Sequence, residues 1–550
     1  MIRFRSILNG DIRTKWRRES FDAGYGSFVP FSPLLANVSP AIQANFLDLT
    51  PYTAPVWLDN SGTTGNRMYY DSTGVLTWAP ANLIPTSATL TTQTITNAIT
   101  AGGDYMLSAE VAAGASVAVT GGATATLNTS SSSVGSRYYV KLSALSTGSL
   151  TLTVTGAVTN AQLERITYQT TPRTLIATTG AQKFLPRFDS YYDTTDSTWK
   201  AKGLLIEESR QNLATYSEQL NNSNWTLGFS GLLAFGSGSI ANDTVAPDGT
   251  TTADKIVENT AASAQHRFFN NSAFTVTNGA SVAYSIFVKA AGRTSVRLTD
   301  NALQGATFDL TTGAVSLVSV GVTATAVPAG NNWWRIGITK TSGSASGRIA
   351  IYFVKDGATT YTGDGVSGIY AWGAQVENSS PSVSSYISTV AASVTRSADI
   401  ISLSGAALTA AGAATGSAIV QTSAWLDASI VRDLLSTSTS RRLLYSNSSN
   451  TAISTTNGTT ALSATLGSAG TFTGGSARTG IAWGALGRSI VGNNGVLIAD
   501  AVVLGSGATV NLGGYASTTT FVGWVASMAL YDQKLPNVLL KQKSSVGATY

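Results

Sequence analysis

A chain of 550 residues is too long for one hydrophobic core and implies about three to four domains. Apolar residues make up 43% and charged ones only 11%, with 11 Trp, 20 Tyr and 17 Phe, which excludes a disordered polyelectrolyte and points to a folded, polar-uncharged, strand-rich protein. There is no cysteine and a single histidine, so disulfides, thiolate chemistry and zinc are set aside, and the net charge of +5 is too small and too local to define a nucleic-acid binder.

Residues 1–64 differ from the rest. Arg3, Arg5, Arg13, Lys15, Arg17 and Arg18 make the opening basic, broken by Asp11 and Glu19, and five prolines follow from Pro30 to Pro55. Strands are hard to place here. The stretch reads as an extended anchoring arm, with Arg13, Lys15, Arg17 and Arg18 docking onto an acidic neighbouring protein. It lacks the apolar segment of a signal peptide, and no run in the chain approaches the roughly 20 apolar residues of a spanning helix.

Beyond residue 64, helical periodicity is almost absent and period-two alternation is frequent. Val282, Tyr284, Ile286 and Val288 share one face, as do Trp334, Ile336 and Ile338, then Ile349, Ile351 and Phe353, and near the end Trp524, Ala526, Met528 and Leu530. Short alternating runs cut by Gly, Asn, Asp and Ser predict an all-β chain of tandem antiparallel β-sandwiches of jelly-roll type. The expected order is a small jelly roll over 65–172, a linker or β-hairpin junction over 173–211, a larger jelly roll over 212–400 and a last sandwich over 401–550. The two jelly rolls look like copies. One opens at Asn82-Leu83 and closes with Ala161-Gln162-Leu163-Glu164, the other at Asn212-Leu213 and closes with Ala374-Gln375-Val376-Glu377.

The junction Gly203-Leu204-Leu205-Ile206-Glu207-Glu208-Ser209-Arg210-Gln211-Asn212-Leu213, followed by Tyr216-Ser217-Glu218 and Asn224-Trp225, resembles one common in bacteriophage tail-associated structural proteins, where it opens a carbohydrate-binding-module-like jelly roll. Tyr69-Tyr70-Asp71-Ser72-Thr73-Gly74-Val75-Leu76 and Pro186-Arg187-Phe188-Asp189 match the segments that precede that junction, with an extra sandwich inserted between them. The last block resembles a concanavalin-A-like, laminin-G-like sandwich that ends in a short helix. The resemblance spans about 65–550 and implies a virion structural protein made in the bacterial cytoplasm. The junction residues also have a plain physical reading: Leu204, Leu205 and Ile206 form an apolar strand, Asn212 holds a turn, and Trp225 closes one end of a sandwich.

Chemistry is sparse. His266 reads as a half-exposed strand histidine. Glu207 and Glu208 point to opposite faces of a strand and cannot flank one glycosidic bond, and Glu208 is expected to pair with Arg210. No catalytic residue is assigned, and the chain is not expected to be an enzyme. Asp243, Asp248 and Asp254 lie in a loop-rich stretch. The resembled class makes them candidate ligands of a structural calcium, against the plainer role of Asx-turns. No other cofactor is expected. Sugar binding needs exposed aromatic plates, and alternation against Trp334 turns Trp333 outward as the foremost candidate, with Tyr361 and Tyr370 behind it. The composite expectation is a tail fibre or tail-associated protein that forms a homo-oligomer, with a trimer as one form. It would contact other virion proteins through the arm and host-surface glycans through a sandwich, without nucleic-acid binding or membrane insertion. The alternatives are a capsid decoration or head-fibre protein without a sugar site, and a polysaccharide depolymerase.

Overall fold

The computed structural model describes residues 39–45, 58–60, 66–100, 102–227, 231–425, 432–437, 440–446, 451–456, 460–465, 477–492, 497–504, 506–512 and 522–545. Over these residues the chain is all-β, with antiparallel sheets and two short helices, Gly405–Gly412 and Asn537–Lys543.

Three sandwiches follow from the sheet pairings. In the first, the strands Ser132–Val134, Arg137–Ser143, Asp104–Val111 and Val158–Ile166 face Gln93–Ile99, Gly148–Thr155, Ser116–Gly121 and Ala125–Asn128. Tyr105, Leu107, Leu127, Leu150 and Leu163 fill the space between them. In the second, one sheet runs in the order Trp225–Thr226, Arg267–Asn270, Ala350–Val354, Ser295–Thr299, Gly305–Asp309, Val315–Ser316. The other runs Ile240–Thr244, Ala253–Val257, Gly368–Asn378, Ser281–Ala291, Trp334–Thr341, Val322–Pro328. Val282, Tyr284, Ile286 and Val288 meet Ile349, Ile351 and Phe353 across this core, because alternate side chains of a strand point to one face. The third joins the strands after residue 400 to partners from far upstream: Ile42–Asn45 pairs with Gly523–Tyr531, Leu58–Asn60 with Ile401–Leu403, and the hairpin Arg187–Asp193/Thr198–Ile206 with Gly523–Tyr531.

The strand Gly523–Tyr531 departs from its expected alternation. Its register against Gly416–Trp425 slips near residue 526, with Val525 opposite Thr422 and Ser527 opposite Gln421. The bulge reverses the phase, so Val525, Met528 and Leu530 share the core while Trp524 leaves it. Trp524 instead lies under the Lys202 ammonium, 3.4 Å from the ring centroid, and donates its indole N–H to Asp189 Oδ2 at 2.9 Å. The expected arm is also corrected where it is described, since Ile42–Asn45 and Leu58–Asn60 are strands of the third sandwich. Its basic residues Arg13, Lys15, Arg17 and Arg18 lie outside the described residues.

The two jelly-roll copies share one polar latch. Asn82 and Asn212 are both fully buried. Asn82 donates from Nδ2 to the carbonyls of Ala161 and Ile176, each at 2.9 Å, and its Oδ1 accepts from the amides of Ile84 and Leu163. Asn212 donates to Ala374 (3.0 Å) and Ile387 (2.8 Å) and accepts from Ala214 and Val376. Gln162 Oε1 accepts from the Ile176 amide and Gln375 Oε1 from the Ile387 amide, both at 2.7 Å. Each Asn side chain thus pairs the opening segment of a sandwich with its closing strand and the segment after it, and each Gln ties the closing strand to that same segment, satisfying backbone groups that burial would otherwise leave orphaned.

A buried ionic cluster ties the pieces together. Arg187 bridges Glu207 at 2.8 Å and also pairs with Asp399, Arg67 reaches Asp399 at 3.3 Å, and Arg396 reaches Glu207 at 3.3 Å. Ser385 adds two bonds to the Glu207 carboxylate, at 2.8 and 2.6 Å, and Asn60 adds one to Asp399 at 3.2 Å. Burial works to raise Glu207, but the Arg396 and Arg187 charges and the Ser385 bonds outweigh it and hold the carboxyl down to about 2. Glu207 and Asp399 are thus the meeting point of the upstream segment, the hairpin, and the exit from the second sandwich.

Candidate functional site

The outer face of the Arg267–Asn270/Ala350–Val354/Ser295–Thr299/Gly305–Asp309 sheet carries a cross-strand row. Register sets Arg267 opposite Tyr352, Tyr352 opposite Arg297, and Arg297 opposite Thr307. Phe268, Ile351, Leu298 and Ala306, one residue along each strand, are fully buried in the core, so the row faces away from it. Tyr352, Ala350 and Phe269 pack as a small apolar island on this face. The Arg267 guanidinium lies over Tyr352 and Phe269, 5.2 and 5.4 Å from the ring centroids, and donates to the Tyr352 hydroxyl. The Arg348 guanidinium also lies over Phe269, at 5.1 Å.

Arg297 fixes the loop that borders the row. It donates to Leu317 O at 2.8 Å and to Ser319 Oγ at 3.1 Å, while Ser319 exchanges bonds with the backbone of Gly305 at 2.9 and 3.1 Å. Partial burial pulls the Arg297 guanidinium below its ordinary value. So pinned, the loop turns Leu317 (65% exposed), Val318 and the fully exposed Val320 outward. Between this loop and the turn 357–360 opens a cleft of about 660 Å³, floored by Arg297, Thr307 and Val354. The face combines charged planar donors, hydroxyls and small apolar walls, a mixture that suits a polar ligand with some apolar surface.

The aromatic candidates read from the sequence lie elsewhere. Trp333 is 2% exposed. Alternation does keep Trp334 packed against the core of the second sandwich, but Trp333 turns into a second apolar cluster with Met68, Leu76, Trp78 and Trp372, and donates to Val245 O at 3.2 Å. The outward plate is thus covered by the upstream hairpin Met68–Tyr70/Leu76–Trp78 and is not a sugar platform. Tyr361 is half-buried. Its hydroxyl donates to Glu258 Oε2 at 2.7 Å, and its ring lies 4.4 Å from that of His266. Glu258 in turn pairs with Arg293, which also meets Asp364 at 3.1 Å. His266 is fully buried rather than half-exposed, with its ring nitrogens against the carbonyls of Gly231 and Tyr361. Tyr370 is half-buried on the opposite sheet, in register with Lys255 and Lys289.

The three aspartates do not converge. Asp248 accepts from the Thr250 amide and hydroxyl at 3.0 and 2.7 Å, an Asx-turn, and Asp254 accepts from the Asn242 amide at 2.9 Å. Asp243 is exposed, beside Tyr370. Among the described residues no group of three or more acidic or histidine side chains is placed to hold a metal ion. Glu208 pairs with Arg210, away from the buried Glu207.

Sequence reasoning missed the Arg267–Tyr352–Arg297 row. The alternation that buried Phe268, Ile351 and Leu298 already placed these residues on one outer face. What was lacking was strand order, because the three strands are neighbours in space but up to 85 residues apart in the chain.

No family model matches the sequence, and no curated protein matches it. Among solved structures, the CBM22-1-CBM22-2 tandem domain of Paenibacillus barcinonensis Xyn10C is similar over 62% of this chain and 98% of its own, at 12% identity and a TM-score of 0.21. An anti-sigma factor domain-containing protein is similar over 52% of this chain and 76% of its own, at 9% identity and a TM-score of 0.10. At these scores neither bears on what this chain binds.

Proposed function

We propose that this chain is a structural protein of a bacteriophage particle, associated with the tail, that attaches to glycans on the host surface and performs no catalysis. The observation that carries the attachment reading is the Arg267–Tyr352–Arg297 row beside the 660 Å³ cleft. The junction 203–225 supports the virion assignment. Oligomerisation would multiply weak sugar contacts into firm adhesion, with other virion proteins as the remaining partners. The test is binding of the purified chain to envelope polysaccharide from candidate hosts. Retention that weakens in Leu317→Asp, which puts a charge on the cleft wall, supports the reading. Retention unchanged by that substitution, or none on any host, refutes it.

A second reading, a capsid decoration or head-fibre protein without a sugar site, is favoured by the burial of Trp333, which spends the strongest aromatic plate on internal packing. Location of the chain on the capsid of an intact particle would decide for it.

A further inference from the structure

We infer that the second sandwich selects acidic glycans, engaging carboxylate or phosphate substituents through Arg297, which lines the cleft, and Arg267, which lies beyond it on the same sheet face. This rests on the attachment reading above and adds the chemical class of the ligand. Arg267, Arg297 and Arg348 share one face, and among the described residues no carboxylate lies within ion-pair distance of any of them. Their recorded acceptors are neutral: the Tyr352 hydroxyl for Arg267, Leu317 O, Thr307 Oγ1 and Ser319 Oγ for Arg297, and Asn271 O for Arg348. These bonds orient the guanidinium groups without cancelling their charge. Two other cations of the same sandwich are paired, Arg293 with Glu258 and Asp364 and Lys340 with Asp300, while Arg335 on the opposite sheet is half-buried and donates to Ser384 O and Ser285 Oγ.

Alternation puts one carboxylate on this face, Asp309. It is turned into its own loop, accepting from the Thr311 amide and hydroxyl and the Thr312 amide. The hairpin beside the cleft adds one charge of each sign, Lys355 and Asp356. The net field over the row is therefore positive.

Geometry favours a chain of sugars over a single small anion. Arg267 and Arg297 flank the strand Ala350–Val354 from either side, so their backbones lie roughly 10 Å apart at the spacing of adjacent strands. Two planar donors at that separation match substituents on successive units of a polymer better than one phosphate. Planar guanidinium groups also favour fork-like bonds to carboxylate or phosphate. The exposed aliphatic side chains of Leu317 and Val318 border the cleft where the apolar faces of sugar rings would lie.

The test is affinity electrophoresis of the full chain through polygalacturonate and through fully methyl-esterified polygalacturonan, which keeps the backbone and masks the carboxylates. Retardation about tenfold stronger by the acid polymer is expected, lost in Arg267→Gln and in Arg297→Gln and weakened by added salt. Glutamine keeps a donor for the Tyr352 hydroxyl and for Leu317 O, and unchanged melting temperatures show that neither variant unfolds. Equal retardation by both polymers overturns the charge selectivity and leaves the attachment reading standing. No retardation by either polymer, with no retention on any host polysaccharide, overturns both. Equal or stronger retention on single-stranded DNA with the same arginine dependence also overturns the inference, by showing a general polyanion surface.

Discussion

Asn82 and Asn212, 130 positions apart, make the same four backbone hydrogen bonds in two different sandwiches. Each buried side chain satisfies two carbonyls and two amides, which an alanine would leave without partners. A lost partner of this kind costs about 1–3 kcal/mol, so Asn212→Ala is expected to destabilise the second sandwich by roughly 3 kcal/mol, and Asn82→Ala the first by a similar amount. Amide hydrogen exchange resolves the two: each substitution should accelerate exchange in its own sandwich.

The ionic cluster predicts a larger effect. Asp399 meets Arg67 and Arg187 with almost no solvent contact. Asp399→Asn leaves guanidinium charge buried without its counter-ion, at an expected cost of about 3–5 kcal/mol. Removing Arg187 as well, in Arg187→Met with Asp399→Leu, should recover part of that loss, because the buried cation goes together with the buried anion and the net charge of the cluster is restored. Chemical denaturation of the two variants is the check.

Acid and alkaline limbs of the stability curve should have different owners. Burial, with the Asp248 charge beside it, pushes Glu218 up to about 7, and burial pushes Asp254 up to about 6. A carboxyl raised in the fold binds its proton more tightly folded than unfolded. The stability it contributes is full below its unfolded value near 4.5 and is lost as pH rises through 7. Glu207, held down to about 2, has the opposite sign: its contribution is present above about 4.5 and is lost as pH falls through 2. Glu218→Gln is therefore expected to flatten the decline in melting temperature between pH 5 and 8 while leaving the acid limb in place.

Trp333→Ala should cost about 3–5 kcal/mol through the cavity left under the upstream hairpin. It should leave glycan affinity unchanged after correction for the folded fraction, since the ring is sealed from solvent. Loss of binding in the folded variant would return this residue to the site.

Fold class was legible because alternation is local: Val282, Tyr284, Ile286 and Val288 need only their own strand to declare a buried face, and the core confirms them. The duplication was legible because Asn82-Leu83 recurs as Asn212-Leu213 and Ala161-Gln162-Leu163-Glu164 as Ala374-Gln375-Val376-Glu377, while the long-range bonds that Asn82 and Asn212 make to Ala161, Ile176, Ala374 and Ile387 were not. Trp333 was misread because alternation reports which sheet face a side chain takes, not whether another segment covers that face. Trp524 was misread because the bulge near residue 526 puts it out of phase with Met528 and Leu530, which keep the expected core face. The binding row was invisible because register between strands distant in sequence decides it, and nothing in a single strand reveals which cations lie beside a given tyrosine.

Hydrogen–deuterium exchange of the full chain, with and without a host polysaccharide that it retains, tests the central claim most directly. The account predicts slowed exchange in the loop 317–321 and the turn 355–360, with the outer faces of the other two sandwiches unchanged. Protection confined to the first or third sandwich, with these two segments unaffected, would contradict it.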